Sequence, residues 1–119
     1  MQMIIDKSRL NPPVRSQCNE DAWDEYSVRE ILEQVLRNKW IVLGGDVVNS
    51  NGRYTPTYDS WYYLVDESIP LEENCLLSVQ KCIQYMENFI ERNGQEYYFV
   101  LTISDKYVGA TGIPNKRQL

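Results

Sequence analysis

Hydrophobic positions recur at two periods along the chain, and the switches between them mark out its elements. Val28, Ile31, Leu32, Val35 and Leu36 fall three and four residues apart, the spacing that lines one face of an α-helix. Ser27 and Glu30 have capping-box spacing just ahead of them, so the pattern predicts a first helix ending near Asn38. A longer periodic stretch comprises Cys75, Leu76, Val79, Cys82, Ile83, Met86, Phe89 and Ile90, with Gly94 where a C-terminal cap belongs; it predicts a main helix within Ser68–Asn93. Glu72 and Glu73 in its first turn and Arg92 near its end follow the order that the helix dipole favours.

Between the two helical stretches the pattern becomes dense and β-branched. Trp40-Ile41-Val42-Leu43, Gly44-Gly45-Asp46 and Val47-Val48 predict a strand with a bulge at the glycines. Asn51-Gly52 predicts a type I′ hairpin turn, with Arg53 to Tyr58 returning antiparallel, and Trp61 to Val65 follows as a third strand after the Tyr58-Asp59-Ser60 turn. Glu96 to Ser104 is rich in strand formers and is expected to end at Asp105-Lys106, with Tyr107-Val108 as an extension. Residues up to Asp24, which include Pro12-Pro13, read as irregular apart from a short strand at Met3 to Ile5, and the tail from Gly112 reads as polar and mobile. The order predicts an α+β fold: an antiparallel sheet of about four strands, a meander plus a C-terminal strand, packed against the long helix, with a shorter N-terminal helix.

Length and composition agree with a single domain over residues 1–119. A chain of 119 residues with 43% hydrophobic and 24% charged positions buries about two thirds of its unfolded surface without metal or disulfides. Charge changes the picture more. The net charge is −5, and Tyr54–Gln80 holds five acids with no Lys or Arg, while Glu20–Glu33 holds six acids against Arg29. Binding to nucleic acid or an anionic membrane depends on cations, so the pattern points to a protein partner with a basic surface. No stretch reaches the ~20 apolar residues of a membrane span, and Met1-Gln2-Met3-Ile4-Ile5-Asp6 lacks the features of a signal peptide; a cytoplasmic location is expected. Cys75 and Cys82 stand seven residues apart, roughly 10 Å along a helix and too far to pair, and read as small core residues, with Cys18 a further unpaired thiol.

The chemistry the chain lacks is informative. There is no histidine, which removes Ser/His/Asp and Cys/His nucleophilic sites and histidine-bearing zinc sites. Gly44-Gly45 is not followed by the glycine and lysine of a phosphate loop, and no cofactor or metal is expected. The surviving enzyme reading is carboxylate acid/base chemistry, a small hydrolase pairing Asp46 with Asp59 or Asp66; ordinary turn carboxylates are the plainer account. A third reading is a structural or regulatory subunit that self-associates through an exposed edge at Glu96 to Ser104.

One constellation stands apart. Asp46, Tyr54, Tyr58, Asp59, Trp61, Tyr62, Tyr63, Asp66 and Glu67 interleave aromatics with acids, punctuated by the turn-forming Gly44, Gly45, Asn51 and Gly52. Strand alternation places Trp61 and Tyr63 on one face and Tyr62 on the other, so part of the set is expected at the surface. Exposed aromatic rings anchor protein interfaces and carboxylates orient a cationic partner.

The stretch Trp40 to Val48, with its Leu43-Gly44-Gly45-Asp46-Val47 core, followed by Gly52, Tyr54, Tyr58-Asp59 and Trp61-Tyr62-Tyr63, resembles immunity proteins of bacterial polymorphic-toxin and contact-dependent growth inhibition systems, in particular immunity protein family 40. The resemblance runs from about Val28 to Ile103. It implies a cytoplasmic antidote that binds the C-terminal toxic domain of a cognate effector, a nuclease among the options, and blocks it without chemistry of its own.

Overall fold

A computed structural model describes the backbone of residues 5–108 and 113–118 and the side chains of residues 5–104. The elements are β1 (Val14–Arg15), β2 (Asp21–Ala22), α1 (Glu25–Asn38), β3 (Ile41–Asn49), β4 (Ser60–Tyr62), α2 (Leu71–Asn93), β5 (Tyr97–Val108) and β6 (Ile113–Gln118). They form an α+β fold in which β1 and β2 pair in a small hairpin and the main antiparallel sheet has the order β4-β3-β5-β6.

Both helices form where periodicity places them, but their starts differ. Asp24, not Ser27, caps α1: its carboxylate accepts a hydrogen bond from the Ser27 amide at 2.9 Å, and the Ser27 hydroxyl is used by the Asn11 amide at 2.8 Å. Burial works to raise the Asp24 carboxyl, but hydrogen bonds from Asn11 and Ser27 outweigh it and hold the group below its ordinary value. Asp24→Ala is therefore expected to cost about 1 kcal/mol. Because the folded carboxyl is depressed, that contribution is present above the ordinary carboxylate range and fades as pH falls through it; urea titrations of both proteins at pH 7 and pH 3 check the narrowing gap. Helix α2 starts at Leu71, since Pro70 has no N–H to join an earlier turn, and Gly94 terminates it as expected, its amide bonded to the Ile90 carbonyl at 2.7 Å.

The core lies between the helices and one face of the sheet. Val28, Ile31, Leu32 and Val35 of α1 and Cys75, Val79, Cys82, Met86 and Phe89 of α2 bury against Val42, Val47, Phe99, Leu101 and Ile103. Cys75 and Cys82 are thus core residues, while Cys18 is exposed. Burial pushes the Cys82 thiol up to about 12, leaving it a neutral apolar filler. Phe89 packs edge-on to Tyr97 and Phe99. On the opposite face the β1–β2 hairpin covers one end of the sheet, where Ala22, Val48 and Val100 form a small second cluster with Tyr54 and Tyr98.

Several details correct the sequence expectations. The meander is not three strands. After β3 the chain returns as one interrupted strand: Tyr54 bridges Val48, Thr55 to Asp59 loop away, and β4 resumes pairing at Ser60. Pro56 offers no ladder donor, and Tyr58 adopts a left-handed φ of 53°, so Arg53 to Tyr58 does not continue as a strand. The hairpin at Asn51-Gly52 exists, but its turn is not type I′. Gly52 alone in the turn has positive φ, 77°, its amide bonds to the Asn49 carbonyl, and Asn49 pairs with Arg53, which gives a three-residue loop with a bulge. The bulge in β3 falls at Leu43, between Val42 and Gly44, rather than at the glycines. Ser78 of α2 receives the displaced Val42 amide at 3.0 Å.

The N-terminal segment is less irregular than expected, since β1 and β2 pair and Trp23 bridges Phe99 in the core. Met3 and Ile4 lie outside the described residues, and Ile5 is not in a strand. Strand β5 runs through Asp105-Lys106 to Val108 with an irregularity after Ser104. It lies between β3 and β6, with β6 pairing from Thr102 onward and Trp23 bridging Phe99, so the Glu96 to Ser104 edge expected for self-association is covered at those positions. The C-terminal segment, expected to be mobile, pairs with β5 as β6 from Ile113; Gly112 lies outside the described residues.

Candidate interaction surface

The helices cover one face of the sheet and the small hairpin covers part of the other, which leaves a stretch of β3, β4 and β5 open. The register there sets three strands side by side. Gly44 faces Tyr62 on one flank and Thr102 on the other; two residues along, Asp46 faces Ser60 and Val100. Alternation puts residues 44 and 46 on the same face. Where a side chain would fill the row between Tyr62 and Thr102, Gly44 presents bare backbone. The result is a depression of about 300 Å³ lined by Leu43, Gly44, Asp46, Ser60, Tyr62 and Thr102.

The two glycines make this geometry possible. A Cβ at Gly44 would strike the Trp61 carbonyl of β4, and the residue has φ 155°, where side chains are rarely tolerated. A Cβ at Gly45, on the helix-facing side, would strike both the Val100 carbonyl and the indole of Trp61. The benzo end of the Trp61 indole closes on Gly45, and the ring stacks on Tyr85 of α2 at 4.8 Å between ring centroids.

Asp46 is the charged group of the depression. It is half-buried, and no hydrogen bond or ion pair reaches its carboxylate among the described residues. Burial raises its carboxyl above the ordinary value, with the nearby Glu20 carboxylate adding to the effect. Glu20 accepts the Tyr54 hydroxyl at 2.9 Å. Burial, then Cys18 and Glu20, raise the Tyr54 hydroxyl.

The other residues singled out in the sequence divide by environment. Trp61, expected among the contacts, is core at 7% exposure. Tyr63 turns inward and donates to Asn74 at 2.7 Å. Asp59 braces its loop, accepting from the hydroxyls of Thr55 and Thr57. Asp66 closes the next turn, accepting from the amide and hydroxyl of Ser68, which hold its carboxyl below the usual range. Tyr58 and Tyr62 are open to solvent, at 72% and 64%, and Glu67 is exposed with no internal bond among the described residues. Lys81 of α2 reaches the Tyr62 ring at 5.1 Å.

Neither Asp59 nor Asp66 lines the depression that holds Asp46. The pairing of Asp46 with Asp59 or Asp66 that the sequence suggests is therefore not assembled there. Among the described residues no group of three or more metal-ligating side chains is found, and no helix is long and apolar enough to cross a membrane.

Glu20, Ser60, Lys81 and Thr102 escaped the sequence reading. Thr102 carried a signal, as the polar position in the alternation Val100, Leu101, Thr102, Ile103. Glu20 carried none, because its approach depends on the small hairpin folding over the sheet.

A second, smaller groove between the helices is lined by Arg29, Leu32, Glu33, Leu36, Val79 and Ile83. Of its two charged groups, Arg29 is already held by Glu25 and Glu87, and Glu33 is the other.

The family model for immunity protein 40 matches residues 9–103. That range includes the small hairpin and Trp23, ahead of the Val28 at which the resemblance begins. No curated protein and no solved structure matches the chain.

Proposed function

The chain belongs to the immunity protein 40 family, and from that premise we propose that it neutralises a cognate toxin domain in the cytoplasm by tight binding, through the open face of the sheet around β4. The observation that carries this reading is the exposed, unpaired character of that face. The half-buried Asp46 carboxylate and the solvent-facing Tyr62 lie in it, Tyr58 and Glu67 are exposed in the segments flanking β4, and Tyr54 to Gln80 holds no Lys or Arg, Lys81 just beyond it reaching the Tyr62 ring. Such a surface favours a basic partner, and an inhibitor that covers a basic substrate groove needs no chemistry of its own. Toxins with cationic grooves, nucleases among them, fit this complementarity.

The reading is tested by co-expressing the chain with the toxin domain encoded beside it. Cell survival with co-purification of the two proteins is the expected result; cell death without a complex would remove it. Charge should act chiefly on association. Glu67→Lys is expected to slow association several-fold at low salt, with the difference shrinking above about 0.5 M salt as screening sets in. Stopped-flow mixing of the purified pair at two ionic strengths checks this. Glu67 is the suitable position, since reversing Asp59 or Asp66 would also break the turns they hold.

A further inference from the structure

We propose that the depression over Gly44 receives a single arginine side chain of the toxin, its stem lying in the notch between Tyr62 and Thr102 and its guanidinium meeting the Asp46 carboxylate. This inference rests on the binding reading above and names the anchor within it.

The dimensions come from the strand register. Gly44 and Asp46 are two residues apart on the same face, and two residues of strand span roughly 6.6 Å. That is about the reach of an extended arginine side chain laid along β3, from the bare backbone of Gly44 to the carboxylate. Tyr62 and Thr102, the cross-strand neighbours of Gly44, wall the notch on both sides. Stems of long basic side chains bury well on such surfaces while their heads stay polar.

The chemistry selects a cation. Asp46 is half-buried without a hydrogen-bond or ion-pair partner among the described residues, and Glu20 adds negative potential beside it. A half-buried carboxylate without a partner gains from pairing, and a guanidinium supplies paired donors in the geometry a carboxylate accepts. Arginine fits better than lysine because its plane can lie against the Tyr62 ring while it bonds in bidentate fashion. Lys81 approaches the same ring from α2, so the guanidinium is placed on the Asp46 side of the notch.

Asp46→Asn should act asymmetrically on folding and binding. A residue kept for structure would lower the melting temperature when altered; here the substitution relieves an unpaired charge, so the free protein should melt no lower than the wild type. Binding should nevertheless suffer.

The test is a double-mutant cycle with the full chain and the toxin domain encoded beside it. Asp46→Asn is expected to raise Kd at least tenfold, mostly through faster dissociation. One arginine of the toxin, changed to alanine, should produce a similar loss that is not compounded in the double variant. Thr102→Phe, which fills the notch with a strand-forming residue, should also weaken binding at least tenfold. If the wild-type complex forms but Asp46→Asn or Thr102→Phe leaves Kd within twofold, or the coupling falls on a lysine or on no cation, the anchor is wrong while the binding reading stands. If the wild-type proteins do not associate at all, both fall together.

Discussion

Gly45→Ala is expected to destabilise the protein by about 3 kcal/mol or more, lowering its melting temperature by on the order of 10 °C. A methyl group at residue 45 meets the Val100 carbonyl on one side and the Trp61 indole on the other. The carbonyl belongs to the central ladder, where Gly45 faces Leu101 and Asp46 faces Val100, so it cannot retreat without breaking strand pairing. The indole is pinned beneath Tyr85. Thermal unfolding followed by circular dichroism measures the effect. A companion change, Trp61→Leu, removes only one of the two obstructions and should not restore the double variant to the stability of Trp61→Leu alone. A Gly45→Ala protein that melts within about 2 °C of the wild type would show that the close approach of β3, β5 and Trp61 is not what fixes glycine here.

Asn74→Ala is the second change with a large expected cost, about 2–4 kcal/mol, because it removes a buried side chain that bonds several part-buried polar groups at once. Asn74 is fully buried at the start of α2. Its carbonyl oxygen accepts from the Tyr63 hydroxyl at 2.7 Å and from the Asp66 amide at 2.8 Å, and its amide nitrogen donates to the carbonyls of Asp66, Ile69 and Pro70. One side chain therefore ties the segment after β4 to the helix. Loss of these bonds should show locally as well as globally, with faster hydrogen exchange at the Asp66 amide than at the amides of β5. Asn74→Asp keeps the acceptor but sets a charge against three carbonyl oxygens, and it is expected to fare no better.

Much of this architecture is legible in the sequence because it is encoded by local pattern. The periodicity of Cys75 to Ile90 specifies α2, and the β-branched run from Ile41 to Val48 specifies β3. What local pattern does not carry is pairing. The interrupted return after Tyr54 depends on the missing donor of Pro56 and the left-handed Tyr58, whereas the reading of two strands rests on the turn signals at Asn51-Gly52 and Tyr58-Asp59-Ser60. The Asp24 cap is masked in the sequence because Ser27 with Glu30 has capping-box spacing three residues on.

The site divides in the same way. Gly44 and Asp46 stand out as sequence, and alternation separates Tyr62 from Trp61. The depression itself arises only when β4 and β5 are set against Gly44 in register, and Trp61 could be assigned to the core only once α2 was seen to lie over it. Glu20 reaches this region through the β1–β2 hairpin, a long-range contact with no periodic trace.

The most direct test of the binding face is chemical-shift mapping of the isotope-labelled protein titrated with the unlabelled toxin domain encoded beside it. The account predicts that the largest perturbations fall on Gly44 to Asp46, Ser60 to Tyr62 and Thr102, with the outer helical residues Leu36 and Leu76 little changed. Perturbations concentrated on α1 and α2, with the sheet residues unmoved, would contradict it.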